Sequence, residues 1–396
     1  MQAITSEESG LQKPAVLILT AGFGEGHNSA ARSLAEALKT KAGEAVMVET
    51  VDLFEDAAPV SGGIYKWVYC QLINHLPWLW RWIFRLTRWS NFSDLRWDRF
   101  VGLRGALAER LAKHRPQVVV STYPIYPWFL QQLAAEEHCP RQSLVVITDS
   151  ITIHPIWNQP LVDCFYVTDE FSRDVMADAL GRASGIRVSG FPVSADFGRE
   201  RPWALADAPR PEGVRVLYFA TTSRKHVRAT LRGLLQHLQD GSCLTVAMGR
   251  HEERLLADVK ELTQVFTGIP VTLTGWTRNV PELMLTHDVV ISKAGGATVH
   301  ECFAAAVPVL VNYIIPGQEE GNAELLERLG CGRSSLIPEE TGLLLASMAT
   351  DGRLEEMKKC MAEHRRPDGA MLIAADILNR LGRGDLNEIP VAEPGS

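Results

Sequence analysis

Residues 15–38 open with Ala15-Val-Leu-Ile-Leu-Thr20, continue through Ala21-Gly-Phe-Gly-Glu-Gly26, and reach Ala30 to Leu38, where apolar residues fall at helical spacing. The short apolar run predicts a strand, the glycines a tight loop, and the 3-and-4 spacing a helix. Further strand-like runs follow at 45–51, 117–121, 143–148 and 164–168, several separated by helical stretches such as 100–113. Alternation of this kind predicts a parallel sheet covered by helices on both faces. After a Pro- and charge-rich stretch at 196–213 the pattern restarts, with strands expected at 214–219, 244–248, 271–273, 289–292 and 307–312. The predicted architecture is therefore α/β, with two Rossmann-like doubly wound domains facing a central cleft at the carboxyl ends of their strands, where such sheets bind ligands. The first domain spans 1–195, the linker 196–213 and the second domain 214–369. A helix near 370–381 crosses back onto the first domain, leaving a tail at 382–396.

Composition sets outer limits. The 396 residues suffice for two ordinary cores, and 46% hydrophobic with 22% charged residues is globular. Forty basic against 47 acidic residues give a net charge of −7, which excludes a protein that coats nucleic acid with its whole surface. Seven cysteines, at 70, 139, 164, 243, 302, 331 and 360, contain no C-x-x-C pair and point to neither a disulfide framework nor a zinc cluster. This usage fits a reducing cytosol. No run reaches the ~18 apolar residues that a spanning helix needs.

Two glycine loops carry the chemistry. In Gly22-Phe-Gly24-Glu-Gly26-His27 the third glycine arrives one residue too early for the dinucleotide pattern G-x-G-x-x-G, so a dinucleotide is not expected. His27 stands where a helix begins, at the carboxyl end of a strand. A histidine there can act as general base because its pKa lies near operating pH, although a helix-start hydrogen-bonder reads the same way. In the second half, Ser292-Lys-Ala-Gly295-Gly296-Ala-Thr298-Val-His300-Glu301 repeats strand, glycine turn and helix. Exposed N–H groups at such a helix start bind a diphosphate. Glu301, one turn in, is placed either to accept ribose hydroxyls or to complement the helix dipole. After the next strand, Pro316-Gly-Gln318-Glu319-Glu-Gly-Asn322 supplies amides and acids, which suit a hydroxyl-rich ligand. A sugar attached to a nucleoside diphosphate fits both loops. Asp149 and His154 lie at and beyond a strand end in the first half. Asp149 is a candidate to orient His27 by triad logic, or simply a loop cap.

These segments, together with Thr148-Asp149, His154-Pro-x-Trp157 and Gly190-Phe-Pro-Val193, resemble the monogalactosyldiacylglycerol synthases and bacterial diacylglycerol glucosyltransferases. More distantly they are similar to the murein N-acetylglucosaminyltransferase. The resemblance covers about residues 15 to 375 and is thinnest at 40–115 and 200–270. It implies the GT-B architecture and a metal-independent, inverting transfer from a UDP-hexose, with no cofactor; the absence of any D-x-D sequence agrees. It assigns Gly24, Gly26 and His27 to the base-bearing loop. His154 is a candidate beside the acceptor, and Trp157 either flanks the acceptor or simply packs. Gly295, Gly296, Thr298 and Glu301 then hold UDP, and Gln318, Glu319 and Asn322 hold the sugar. Where relatives begin the second domain with a glycine-rich loop this chain has Phe219-Ala-Thr-Thr-Ser-Arg-Lys225, making Arg224 and Lys225 candidate phosphate contacts. Thr122-Tyr123-Pro124 replaces a Thr-His-Pro motif, and His300 stands at a site usually small or aliphatic.

Residues 64–104 hold six of the ten Trp, at 67, 78, 80, 82, 89 and 97, and seven basic residues (Lys66, Arg81, Arg85, Arg88, Arg96, Arg99, Arg104) against Asp94 and Asp98, a local balance of +5. Such a band fits an interfacial segment on an anionic membrane, with Trp80, Trp82, Arg85 and Arg88 as its contacts. A core helix pair with snorkelling arginines is the competing reading. The expected protein is a hexosyltransferase, peripheral on the inner face of the cell membrane, acting on diacylglycerol. A polyprenyl-linked acceptor, a UDP-sugar epimerase of the same fold and a non-catalytic lipid-binding descendant are the alternatives.

Overall fold

The computed structural model describes residue 13 and residues 15–88, 101–134, 140–159, 161–199, 213–250 and 252–388. Trp89, Trp97, Asp94, Arg96, Asp98, Arg99, Cys139, most of the expected linker and the end of the tail lie outside the described residues.

The chain opens with β1 (Ala15–Thr20), α1 (Glu25–Ala42) and β2 (Met47–Asp52). Helices α2 (Leu53–Asp56), α3 (Pro59–His75), α4 (Pro77–Thr87) and α5 (Val101–His114) follow. Next come β3 (Val118–Ser121), α6 (Tyr126–Leu133), β4 (Gln142–Val146), β5 (Cys164–Val167), α7 (Glu170–Leu180) and β6 (Ile186–Val188). The second half runs β7 (Arg215–Phe219), α8 (Arg224–His237), β8 (Cys243–Gly249), α9 (Glu252–Val265), β9 (Val271–Gly275), α10 (Val280–Thr286), β10 (Val289–Lys293) and α11 (Gly296–Ala305). It ends with β11 (Val309–Tyr313), α12 (Glu320–Arg328), β12 (Gly332–Ser334), α13 (Thr341–Thr350), α14 (Arg353–Glu363) and α15 (Gly369–Arg380). The three-residue edge strands β6 and β12 are too short to read from an apolar run.

Among the described residues the strands form two six-stranded sheets, β2-β1-β3-β4-β5-β6 and β12-β11-β10-β7-β8-β9. All pairings are parallel. This is the α/β, two-sheet architecture expected of a GT-B fold. In each sheet the chain reverses its winding direction at one place, between β1 and β3 in the first and between β7 and β10 in the second. Loops at such a reversal diverge and leave a crevice.

Central strands are apolar throughout because both faces are covered. In the first sheet one face packs Val16, Ile18, Val118, Val120, Leu144 and Val146 under α1 and α15, while the other packs Leu17, Leu19 and Val119 against α5 and α6. Helix α15 thus belongs to the first core: Ile373, Ala374, Ile377 and Leu378 are fully buried beside Ala31, Leu34 and Leu38 of α1. It begins at Gly369, where an added Cβ would lie 2.3 Å from the Phe191 carbonyl oxygen, so the chain crosses back in direct contact with the end of the first half.

Pro77 starts α4 rather than interrupting a helix, since its missing N–H falls among the donors a first turn leaves unpaired anyway. Along α4, Trp78 and Trp82 are four apart and share a face, whereas Trp80 points nearly the opposite way. Trp78 and Trp82 are 61% and 59% exposed. Trp80 instead packs edge-on to Tyr69 of α3 (5.2 Å) and near Phe84, with its indole nitrogen buried. The expectation that Trp80 belongs to the membrane-facing set is therefore corrected: it joins α3 to α4. Trp67, Ile64 and Tyr65 of α3 are exposed, as are Arg85 and Arg88.

Candidate active site

The first crevice is built by the glycine loop. Asp52, at the end of β2, accepts hydrogen bonds from the backbone of Gly22 (2.6 Å) and Phe54 (2.9 Å), fixing the loop and capping α2 together. Phe23 stacks on Tyr123 at 5.5 Å, and Tyr123 meets the His27 ring edge-on at 5.1 Å. His27 lies in the first turn of α1, and its Nδ1 sits 2.6 Å from the carbonyl oxygen of Thr122, at the end of β3. A carbonyl only accepts, so Nδ1 carries the hydrogen and Nε2 holds the free lone pair. Thr148 Oγ1 is 3.1 Å from the same nitrogen. Burial pushes the His27 pKa down to about 4, against the Thr122 bond that raises it. The ring is neutral at pH 7 and its tautomer is fixed by the backbone at the β1/β3 reversal.

The sequence offers Asp149 either to cap a loop or to orient this ring. The structure gives that task to the Thr122 carbonyl and the Thr148 hydroxyl, while Asp149 accepts a hydrogen bond from Trp157 Nε1 (3.4 Å). Burial raises Asp149 to about 6, with the Trp157 bond acting the other way. Trp157 is 2% exposed, its ring 6.3 Å from that of His27. His154, expected beside an acceptor, is a strut: Nδ1 accepts from Ile156 N, Nε2 is 3.0 Å from Thr87 Oγ1 of α4, and Phe84 meets its ring edge-on.

The second crevice faces the first. Gly295 caps α11, and a Cβ at Gly296 would lie 2.5 Å from the Thr148 carbonyl oxygen, so only glycine permits this approach. A Cβ at Gly26 would touch Ala297 at 4.0 Å, which puts the starts of α1 and α11 against each other. Glu301 accepts from Ser29 Oγ (3.4 Å) across that contact. Burial lifts the Glu301 carboxyl to about 7, while Ser29 and the Arg32 charge pull it down. Thr298 lies on the same first turn, partly exposed.

The polar loop after β11 departs from expectation. Asn322 is buried: its Nδ2 donates to the Ala294 carbonyl (3.0 Å) and its Oδ1 accepts from Ser150 N (3.1 Å), so it ties the two halves together rather than facing a sugar. Glu319 is ion-paired with Lys293, the last residue of β10, and accepts from Ile315 N (3.0 Å). Gln318 Oε1 accepts from the Tyr69 hydroxyl at 2.8 Å. Arg224, a candidate phosphate contact, is committed with Arg228 to Asp258 of α9, while Lys225 is exposed on the first turn of α8. His300 also joins the halves, hydrogen-bonded to Ser150 Oγ (2.9 Å) and stacked on Phe191 at 5.5 Å. The missed residues are Thr122, Lys293, Tyr69 and Ser150. The partners of Thr122, Tyr69 and Ser150 named above lie far away in the chain, and for Thr122 the working atom is backbone. Among the described residues no group of three or more His, Cys, Asp or Glu side chains is placed to hold a metal ion.

Residues 27–193 match the family model described as monogalactosyldiacylglycerol (MGDG) synthase, and residues 225–377 match the glycosyltransferase family 28 C-terminal domain. The chain is 27% identical over 391 residues to the processive diacylglycerol beta-glucosyltransferase of Bacillus mycoides, covering 97% of this chain and 98% of that one. To the chloroplastic monogalactosyldiacylglycerol synthase of Spinacia oleracea it is 26% identical over 395 residues, covering 91% and 72%. Among solved structures, MurG of Acinetobacter baumannii superposes with a TM-score of 0.61 at 13% identity, over 93% of this chain and 99% of that one.

Proposed function

Because the chain joins a monogalactosyldiacylglycerol synthase domain to a glycosyltransferase family 28 C-terminal domain, and so belongs to the GT-B glycosyltransferases, we propose that it transfers a hexose from a UDP-sugar to diacylglycerol at a membrane surface. The observation that carries this reading is the His27 ring, locked by the Thr122 carbonyl with its lone pair on Nε2, opposite the start of α11. Nε2 takes the acceptor's hydroxyl proton as that oxygen attacks the anomeric carbon. The bond from that carbon to the UDP oxygen breaks, and configuration inverts. The N–H groups in the first turn of α11, from Gly296 on, and the α11 dipole stabilise the charge on departing UDP, the role a metal plays in other transferases. Glu301 accepts the ribose hydroxyls, and chelators are expected to leave turnover unchanged.

The test is product formation by purified protein in anionic mixed micelles containing diacylglycerol, comparing UDP-glucose with UDP-galactose. A glycolipid is expected from one of the two donors. Glu301→Ala raises the donor KM about 100-fold, since charge-assisted hydrogen bonds contribute ~1.5–3 kcal/mol each. No glycolipid from either donor would remove the diacylglycerol acceptor, and donor isomerisation without lipid would favour an epimerase.

The lipid side rests on α3 and α4. Trp67, Trp78 and Trp82, 63%, 61% and 59% exposed, lie among the exposed Ile64, Tyr65 and Leu86, with Arg85 and Arg88 also exposed. Such a face partitions into the headgroup region of an anionic bilayer, peripherally on its inner side. No helix of the described residues is long and apolar enough to cross a membrane. Replacing Trp78 and Trp82 by Ser is expected to lower co-sedimentation with anionic vesicles and leave the melting temperature unchanged. Trp80→Ser does the reverse, because its ring packs on Tyr69 and Phe84. Equal vesicle binding by all three proteins would return α3 and α4 to a packing role.

A further inference from the structure

The Tyr69 hydroxyl is the contact nothing above explains. Tyr69 comes from α3, in the first half, yet its O–H donates to Gln318 Oε1 at 2.8 Å in the second half. Its ring is clamped on two sides, edge-on to Phe23 of the glycine loop (6.0 Å) and edge-on to Trp80 of α4 (5.2 Å). Burial holds its pKa well above the usual tyrosine value, so the group stays an O–H donor at any working pH. Gln318 follows Gly317, whose φ of +85° is the left-handed conformation that glycine adopts without strain, and a Cβ on Gly317 would strike Phe84 of α4 at 2.8 Å. Arg81 of α4 adds an ion pair to Glu320 at 3.7 Å. The loop bearing Gln318 is therefore seated on α3 and α4.

A carboxamide has an accepting end and a donating end that look alike in shape, and an isolated one turns freely. Because the Tyr69 O–H donates to Oε1, Nε2 is the end of the carboxamide turned away from Tyr69. We propose that Tyr69 is a positioning residue for the donor sugar: it holds the Gln318 carboxamide so that Nε2 is presented as a hydrogen-bond donor to a sugar hydroxyl. The inference rests on the reading of this chain as a UDP-hexose transferase. It assigns part of donor recognition to the same helices whose outer face meets the lipid.

The experiment compares two probes, UDP and the UDP-hexose that wild type uses, by calorimetry on the full chain. In Tyr69→Phe the ring contacts with Phe23 and Trp80 remain and only the hydroxyl is lost. UDP-hexose affinity is expected to fall about two- to twelvefold, the range set by one neutral hydrogen bond, and UDP affinity to stay unchanged. In a Gln318→Ala background the same Tyr69→Phe change should have no further effect, because the group it orients is gone. Equal losses for both probes, or independent effects of the two substitutions, would overturn the proposal and leave the transferase reading standing. Wild type that binds neither probe would overturn that reading and the proposal with it.

Discussion

His27→Ala lowers the transfer rate about a thousandfold and leaves UDP affinity unchanged. General base catalysis contributes typically 10²–10⁴ in rate, and the partners of the His27 ring, Thr122, Thr148, Tyr123 and Trp157, all lie in the first half. The pH profile makes the expectation sharper. With a pKa of about 4 the ring loses its lone pair only in acid. At saturating donor, kcat/KM for the acceptor should stay level as pH falls from 7 to about 5, and decline as pH passes through about 4. Asp149, raised to about 6 by burial, is the competing proton acceptor in the same crevice. An acid limb centred near 6, together with a small effect of His27→Ala, would transfer the role to Asp149.

Gly321→Ala is expected to cost about 100-fold in turnover without unfolding either half. The added Cβ would lie 2.0 Å from the Ser150 carbonyl oxygen and 2.4 Å from the Thr152 nitrogen, on the opposite side of the cleft. Overpacking of this severity costs ~3 kcal/mol, and each ~1.4 kcal/mol is tenfold. Within α12 itself the change is favourable, since alanine is the better helix former. The penalty therefore falls on the approach of the halves: the melting temperature holds, while small-angle scattering shows a larger radius of gyration and turnover drops. Gly105→Ala is the control, because a Cβ there meets nothing within 4 Å. Unchanged scattering and turnover in Gly321→Ala would mean that catalysis does not use this closed arrangement.

The architecture was legible because its signals are local. A strand, a glycine turn and a helix within 24 residues at Ala15–Leu38, repeated at Val289–Ala305, define each crevice before any long-range contact is known. The division of α4 into two faces was equally available, since Trp78 and Trp82 differ from Trp80 by helix periodicity alone. What escaped reading was pairing at a distance. Gln318 meets a partner 249 residues away and Asn322 one 172 residues away, and composition alone does not distinguish a sugar contact from an interdomain tie. The Thr122 carbonyl is invisible for another reason: every residue carries one, and only the fold decides which of them faces a histidine. Lys293 shows the same limit, because an acid beside hydroxyl-rich ligands and an acid paired to lysine have the same sequence.

The return of α15 to the first core also orders events during synthesis. Residues up to about 193 emerge with every strand of the first sheet, yet the face of β1, β3 and β4 that α15 covers waits for Ile373, Ala374, Ile377 and Leu378. At roughly 5–20 residues per second that interval is about 10–40 s. For its duration the nascent chain carries an uncovered apolar stripe, while the exposed tryptophans of α3 and α4 have already left the ribosome. That stripe stays uncovered until residues 373–378 have emerged, and the first half docks α15 only when the second half is complete.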